Sequence, residues 1–571
     1  MRFAGLATDY DGTLAKDGIV AEETIDALRR LRRTGRRAIL VTGRTLGSLR
    51  DVFPRLNEFD AIVGENGATL YDPATNSECQ LADPPPEALV NLLKQRIPFP
   101  IEVGRVILAT SHLEKQVVLA SIQELGLELQ IIFNKGSLMI LPSGVNKATG
   151  LGAALKSLSL SIHNIAGIGD AENDHAFLSS CEFSAAVANA LPTLKEGVQL
   201  VTRADHGAGV VELIDEMLED DLARRERRLG RPILIGHARD GREIKACACG
   251  INLVTGSSGG GKSTFTTAFL EALSDAGYQF CAIDPEGDYE SFPDAVVLGN
   301  ADHVPAISEV AKALSTPAQN VILNLLGLDL ERRPTMFETL FNFFQQMRAT
   351  LGRPHCVILD EAHHFVQDGP ASPESYLETY SEDPSSGLTL ITVKPERLPK
   401  TALSRVQLLL IAGDEPSQVL REFCSSAGIP CPDPPAISLA GKELLGMRPP
   451  HGSLFTFTGL EPRAARVRHR RKYAEGELAP DRSFYFRGAT GKLNLRAYNL
   501  ITFLNMLSGV DDETWMFHLR SRHYSAWFRN EIKDEGLAQD TAAIENDPAV
   551  DAKESREKVS RLIKERYTLA A

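Results

Sequence analysis

The chain has no apolar run near the roughly 18 residues of a membrane span, no Cys-x-x-Cys pair, and only two tryptophans, Trp515 and Trp527, both near its C-terminal end. The first absence excludes a membrane-spanning helix, and no membrane partner is expected. The second excludes the commonest zinc patterns, and the eight scattered cysteines, with only Cys247 and Cys249 as near neighbours, outline no disulfide framework. A reducing cytoplasm is the expected compartment. The opening MRFAGLATDYDG has no apolar core followed by a small-residue cleavage site, so no signal peptide is expected. Cations are also in deficit: 61 Lys and Arg stand against 75 Asp and Glu, a net charge of −14. That balance argues against a whole surface that grips nucleic acid, although a local basic channel is compatible with it.

What is present is length and pattern. At 571 residues the chain is too long for one core and predicts three or four domains. Residues 1–215 alternate short apolar strands with helical stretches. A charge-rich connector, EDDLARRERRL (219–229), follows with no core of its own. From about 231 come RPILIG, INLVTG, FCAIDPEG, NVILNLLGL, HCVILDEAHH, LTLITVKP and VQLLLIAG, each an apolar run ending in a turn. That pattern predicts a parallel sheet with crossover helices. A Pro-rich stretch (430–437) precedes the end of this region, and residues 494–571 read as helical.

The first chemical signal is LATDYDGTL (6–14), a buried strand running into a turn with Asp9 and Asp11 two apart. At the C-terminal end of a strand, one carboxylate can attack phosphorus while the other protonates the leaving oxygen. AILVTGRT (38–45) ends in Thr42-Gly43-Arg44, whose hydroxyl and N–H groups can hold a phosphate. GVNKATGL (144–151) presents Lys147 just before a helix. IAGIGDAENDHAFL (165–178) ends a strand in Asp170, with Asn173 and Asp174 following; Asp170 with Asp9 makes an oxygen-rich Mg²⁺ site.

These four pieces, in this order, resemble the haloacid dehalogenase (HAD) superfamily of phosphatases over residues 1–215. GENGA (64–68), the late Lys147 and VANA (187–190) are similar to its Cof-like, type IIB subgroup. The resemblance implies a Rossmann-like core of residues 1–81 and 143–215, with a small α/β cap at 82–142. It implies that Asp9 forms an aspartyl-phosphate and that Asp11 is the general acid/base, its carbonyl binding Mg²⁺. Thr42 and Lys147 would hold the phosphoryl group, Asp170 would ligate Mg²⁺, and Asp174 would support the metal. The substrate implied is a small, sugar-phosphate-like phosphomonoester. Glu102, Arg105 and His112 fall in the cap and read as solvated surface.

The second signal is GSSGGGKS (256–263), with full P-loop spacing between a strand and a helix. Gly256, Gly259, Gly260 and Gly261 would let backbone N–H groups wrap the phosphates of ATP. Lys262 would reach the β/γ positions, Ser263 would ligate Mg²⁺, and Thr264 would complete the first turn. HCVILDEAHHF (355–365) ends a strand in Asp360, a partner for that Mg²⁺, and Glu361, placed to activate water. Glu361 favours hydrolysis over transfer to a small molecule. His363 and His364, at i and i+1 on a helix, would not share a face and read as a poor metal pair.

FCAIDPEGDYESF (280–292) ends a strand in Asp284 and turns through Gly287-Asp288-Tyr289. This arrangement resembles the HerA–FtsK class of ATPases over residues 231–470, which implies a RecA-like P-loop domain (231–475) and a ring-forming homo-oligomer, with hexamers among its forms. In LTLITVKPERLPKTAL, Thr392 and Pro395 fit that class's sensor strand, but Val393 stands where glutamine is usual. Arg332, Arg333, Arg397 and Arg405 are candidates for an arginine acting across subunits. The basic run EPRAARVRHRRKY (461–473) could touch nucleic acid or be an exposed edge strand. Residues 216–230 read as a linker and 480–571 as a helical module; its tryptophans, interleaved with Arg520, Arg522 and Arg529, fit an assembly module better than a base-stacking platform.

The combined expectation is an α/β enzyme joining a Mg²⁺-dependent phosphatase to an ATPase. Two alternatives stay open: a polynucleotide-type kinase/phosphatase, and an ATP-gated assembly that controls the phosphatase.

Overall fold

The structure, a computed structural model, describes residues 1–134, 136–225, 231–257, 260–365, 387–432, 439, 441–449, 452–463, 478, 480–488, 491, 493–507, 509–532 and 534–567. The expected site residue Gly259 and most of the basic run 461–473 lie outside them.

The N-terminal unit is built on strands β1 (Gly5–Thr8), β2 (Arg37–Val41), β3 (Ala61–Gly64), β4 (Thr69–Asp72) and β5 (Ser77–Gln80). The chain then leaves for a cap whose strands β6 (Glu102–Val103), β7 (Leu108–Ser111), β8 (Leu129–Asn134) and β9 (Ser137–Pro142) form a separate antiparallel sheet. It returns for β10 (Ile165–Gly169), β11 (Phe183–Ala186) and β12 (Leu200–Val201), giving one sheet in the order β12-β11-β10-β1-β2-β3-β4-β5. Strands β1 and β10 are parallel neighbours and fully buried, as expected of a sheet covered on both faces. Both therefore end at the same edge, where Asp9 and Asp170 follow them. The helix Glu22–Arg33 packs against β2 and the helix His206–Asp220, with acids in its first turn and arginines in its last, matching its dipole.

The second sheet has the order β14-β13-β23-β22-β21-β15-β20-β19-β16-β18-β17. Its members are β13 (Pro232–His237), β14 (Glu243–Cys247), β15 (Gly250–Gly256), β16 (Phe280–Asp284), β17 (Ala295–Leu298), β18 (Asn320–Asn324), β19 (Cys356–Leu359), β20 (Gly387–Ile391), β21 (Val406–Ala412), β22 (Glu443–Met447) and β23 (Phe455–Gly459). Strands β21 to β17 in that order run parallel, with a core dominated by Leu, Ile, Val and Phe. RPILIG departs from the expected parallel pattern. As β13 it pairs antiparallel with β14 and β23, because the tight turn 238–242 returns the chain at once and leaves no room for a crossover.

Two further expectations change. The connector is not coreless: the helix His206–Asp220 runs into it, Leu222 is fully buried in the first core, and Asp221, in left-handed conformation, accepts from Arg36 at 2.9 Å. The last region is helical but also carries an antiparallel hairpin, β24 (Phe484–Phe486) with β25 (Leu495–Ala497). Both tryptophans lie in its core; Trp515 Nε1 donates to Ser555 Oγ and Trp527 Nε1 to the Arg482 carbonyl. Arg520 is spent on the carbonyls of Glu545, Asp547, Pro548 and Val550. These groups build the module rather than offering faces to bases.

The two large units meet base to base, at the starting ends of their strands. Glu182, just before β11, is buried between His163 Nδ1 at 2.7 Å, the Tyr278 hydroxyl at 3.1 Å and Arg2 at 3.0 Å. His163 stacks on Tyr278 with ring centroids 3.7 Å apart, and its Nε2 lies 2.8 Å from the Ala276 carbonyl. Asn164 donates to the Gly352 carbonyl at 3.1 Å, and His355 Nε2 lies 3.2 Å from Asn164 Oδ1. Burial alone would raise the Glu182 carboxyl; the His163 hydrogen bond and charge, Arg2 and Tyr278 outweigh it and hold the group below its ordinary value. Strands β10, β16 and β19 each start at this junction and run away from it, so their acid-bearing ends point to opposite poles.

Candidate active sites

Lys147 is the organiser of the first pole. Asn146 and Thr149 form a capping box that fixes Lys147 as the first residue of the helix Lys147–Ser157. From there its Nζ donates to Asp9 Oδ1 and to Asp174 Oδ1, 2.6 Å each, with all three side chains buried. Asp174 Oδ2 accepts from the Asp170 and Ala171 N–H groups at 2.8 and 2.9 Å, and Thr13 Oγ1 donates to Asp170 Oδ1 at 2.8 Å. One carboxylate oxygen from each of Asp9, Asp170 and Asp174 falls within 4.8 Å of the others. The structure thus brings Asp9, Lys147, Asp170 and Asp174 together.

The electrostatics of that cluster fit a divalent cation. Burial, then repulsion from Asp174, pushes Asp9 up to about 8 despite Lys147, with Asp170 adding to the rise. One lysine does not balance three buried carboxylates, and an all-oxygen set of this size suits Mg²⁺. Asn173 adds a buried Oδ1 that meets no donor among the described residues.

Asp11 stands apart. Arg44 grips its carboxylate in a two-pronged ion pair, 2.7 Å at each contact. Thr42, buried at the end of β2, accepts from the Arg44 N–H at 3.1 Å. The cap is fastened by Glu65, to which the sequence reading gave no role. Its buried carboxylate accepts from the N–H groups of Arg105, Val106 and Ile107 at 2.9–3.0 Å. Glu102 is exposed, as expected, and also accepts from Thr45 Oγ1 of the core at 3.1 Å. Asn66 Nδ2 reaches Met139 Sδ of the cap at 2.6 Å. The only hint of Glu65 in the sequence is GENGA itself, where Gly67 is forced: at φ +103° a Cβ would stand 1.9 Å from the Asn146 carbonyl oxygen.

At the opposite pole, β15 leads into the glycine loop and the helix Lys262–Asp275. Gly256 (φ +129°) and Gly261 (φ +102°) are in conformations that favour glycine, and a Cβ on Gly256 would meet the Ala412 carbonyl oxygen at 1.9 Å. Lys262 Nζ donates back to the Gly256 and Ser257 carbonyls at 3.0 and 2.8 Å. Ser263 and Thr264 occupy the first turn, and Gly260, Gly261 and Thr264 line an open cleft of about 400 Å³ together with Phe265, Leu444 and Leu460. Strand β20 separates β15 from β19 in the sheet, which sets Asp360 two strand spacings, roughly 10 Å, from the loop's strand.

Asp360 is held on both oxygens: Tyr289 OH donates to Oδ2 at 3.0 Å and the Glu361 N–H to Oδ1 at 2.8 Å. Tyr289 is in place because the turn after β16 folds onto Asp284, which accepts from the N–H groups of Tyr289 and Glu286. Burial, then Asp288 and later Asp360, raises Asp284 well above its ordinary value. The sequence marked this turn by its Gly-acid-aromatic spacing without showing that Tyr289 would grip Asp360. Glu361 adopts a left-handed φ of +46° and opens a short 3₁₀ turn, Ala362–His364, in place of the expected α-helix. The i, i+1 argument against His363 and His364 therefore does not apply: their rings lie 4.1 Å apart. His363 Nδ1 is 2.9 Å from Thr392 Oγ1 and 3.5 Å from Glu361 Oε2, and burial, aided by His364 and Lys394, lowers it to about 3. Arg333, one of the arginines considered for a neighbouring subunit, is fully buried and donates to the Pro285 carbonyl at 3.3 Å, so it is not a surface charge.

No described helix is long and apolar enough to cross a membrane. Residues 6–103 and 102–214 match the haloacid dehalogenase-like hydrolase family. A phosphoglycolate phosphatase of Methanothermobacter thermautotrophicus is 27% identical over 215 residues, covering 37% of this chain and 96% of that protein. One of Metallosphaera sedula is 30% identical over 221 residues, covering 37% of this chain and 98% of that protein. Among solved structures, a haloacid dehalogenase-like hydrolase of Bacteroides thetaiotaomicron aligns with 38% of this chain and 99% of its own, at 18% identity and a TM-score of 0.34. Through its N-terminal unit, the chain belongs to the haloacid dehalogenase-like hydrolases.

Proposed function

We propose that the chain is a bifunctional hydrolase, with a Mg²⁺-dependent phosphomonoesterase at one pole and an ATPase at the other. The observation that carries the first half is Lys147 bridging Asp9 and Asp174 in a buried carboxylate cluster. Asp9 attacks phosphorus and forms an aspartyl-phosphate. Lys147 and the Thr42 hydroxyl hold the phosphoryl oxygens. Asp11, released by Arg44, protonates the leaving oxygen and then takes a proton from the water that cleaves the aspartyl ester. Asp9, Asp170 and the Asp11 carbonyl would hold Mg²⁺, which offsets the negative charge of carboxylates and phosphate, and Asp174 would support that set. The fastened cap and the relatives' activity favour a small substrate such as phosphoglycolate, with sugar phosphates next. Turnover of 2-phosphoglycolate with and without Mg²⁺, and acid-stable labelling of Asp9, test this half.

The second half rests on the glycine loop packed against Ala412 and continuing into the Lys262 helix, with Asp360 pinned by Tyr289. Backbone N–H groups and Lys262 bind the phosphates of ATP, while Ser263 and Asp360 would hold its Mg²⁺. The adjoining cleft is large enough for a nucleoside. Glu361 orients water for attack. A homo-oligomeric ring, with six subunits as the size to test and nucleic acid as a candidate cargo, is the assembly that fits this reading. Release of phosphate from ATP supports it; transfer of label to 5′-hydroxyl DNA would replace it with the kinase/phosphatase reading. Solution mass with and without ATP tests the ring.

A further inference from the structure

Glu361, His363 and His364 form a second candidate ion site, of a chemistry unlike the aspartate cluster. One ligand atom from each lies within 4.8 Å of the others. The convergence is a product of the backbone: left-handed Glu361 and the following 3₁₀ turn put side chains from positions 361, 363 and 364 on one side. The Thr392 hydroxyl, 2.9 Å from His363 Nδ1, holds that ring as outer partners hold ligating imidazoles. Thr392 is itself fixed, accepting from the Lys394 N–H at 2.9 Å.

Two imidazoles and one carboxylate select differently from three carboxylates. Mg²⁺ prefers oxygen ligands and retains water, so it belongs with Asp9, Asp170 and Asp174. Imidazole nitrogen suits zinc, cobalt, nickel and iron. We propose that Glu361, His363 and His364 bind a divalent first-row transition ion of the zinc class, with water completing its shell. A carboxylate that ligates the ion is withdrawn from activating water. The ion is therefore a brake on nucleotide hydrolysis, a consequence that rests on the ATPase reading, although the site itself does not.

The test uses the full chain, stripped of metal and supplied with excess Mg²⁺ to occupy the aspartate cluster, then titrated with Co²⁺ and followed by visible absorption. One equivalent of Co²⁺ is expected, with its d–d bands. Affinity should fall at least about ten-fold in His364→Ala, a partly exposed position whose loss spares the core, and similarly in His363→Ala; RT ln 10 sets that step at about 1.4 kcal/mol. Asp170→Asn should leave uptake unchanged. Absence of Co²⁺ uptake, uptake indifferent to His364→Ala, or uptake lost in Asp170→Asn would each overturn the site. Uptake intact in a protein that neither binds nor hydrolyses ATP would sink the ATPase reading and keep the site. The reverse outcome would sink the site and keep the reading.

Discussion

Two lysines hold equivalent posts at the two poles. Lys147 and Lys262 are each the first residue of a helix, and both are largely buried. Lys147 follows an asparagine in a capping box, and its ammonium faces carboxylates that, against the cost of burial, raise its pKa. Lys262 follows a left-handed glycine, and its ammonium is turned onto the carbonyls of its own loop. The first site is assembled around internal charge. In the second, the cation donates to neutral backbone carbonyls, contacts that a phosphate could replace at modest cost. The same element at the same place thus carries a built-in counter-ion in one unit and, on the proposed reading, a cation kept for a ligand in the other.

The sharpest way to break this contrast is Asp9→Asn. Phosphatase turnover is expected to fall by about 10⁴-fold or more if Asp9 is the nucleophile, with ATP hydrolysis unchanged; a parallel loss of ATPase would refute independent sites. Glu361→Gln should do the reverse, lowering ATP hydrolysis by about 10²–10³-fold while nucleotide binding, read with a fluorescent analogue, persists. Stability separates the lysines next. Lys147→Ala leaves buried Asp9 and Asp174 without their cation and should cost about 3–5 kcal/mol in denaturant unfolding. Lys262→Ala should cost about 1 kcal/mol and lose ATP binding. Equal costs would erase the distinction.

At the junction, where neither proposed site is touched, Glu182→Gln should cost about 2 kcal/mol at neutral pH and leave both activities unchanged. Because Glu182 sits below its ordinary value, the folded state binds fewer protons than the unfolded one. Its contribution is complete above the ordinary carboxylate range and lost as pH falls through the folded value. The acid limb of a stability–pH curve should therefore flatten in the variant.

Much of this was legible in sequence because strand ends carry the chemistry. Apolar runs ending in Asp9, Asp170, Asp284 and Asp360 announce both the strands and the crevice edge at which they stop. What could not be read are contacts made by long-range packing. Glu65 fastens the cap from 40 residues away in the chain, and Arg44 engages Asp11 from 33. The close approach of His363 and His364 is not legible either, because one left-handed residue starts a tighter turn where helical periodicity would separate the rings. RPILIG was misassigned because an apolar run does not state the direction of its neighbour.

The base-to-base junction has a thermodynamic corollary. Proteins such as the Metallosphaera phosphatase align over 98% of their length with this N-terminal unit. Here that unit's floor is part of a shared interior, with Glu182 and His163 on one side and Tyr278 and His355 on the other. Neither half can melt without uncovering buried polar groups of the other, so a calorimetric scan should register one transition for the two together. Two independent peaks would mean that the seam is only a contact. In calorimetric terms, the chain has fewer domains than it has folds.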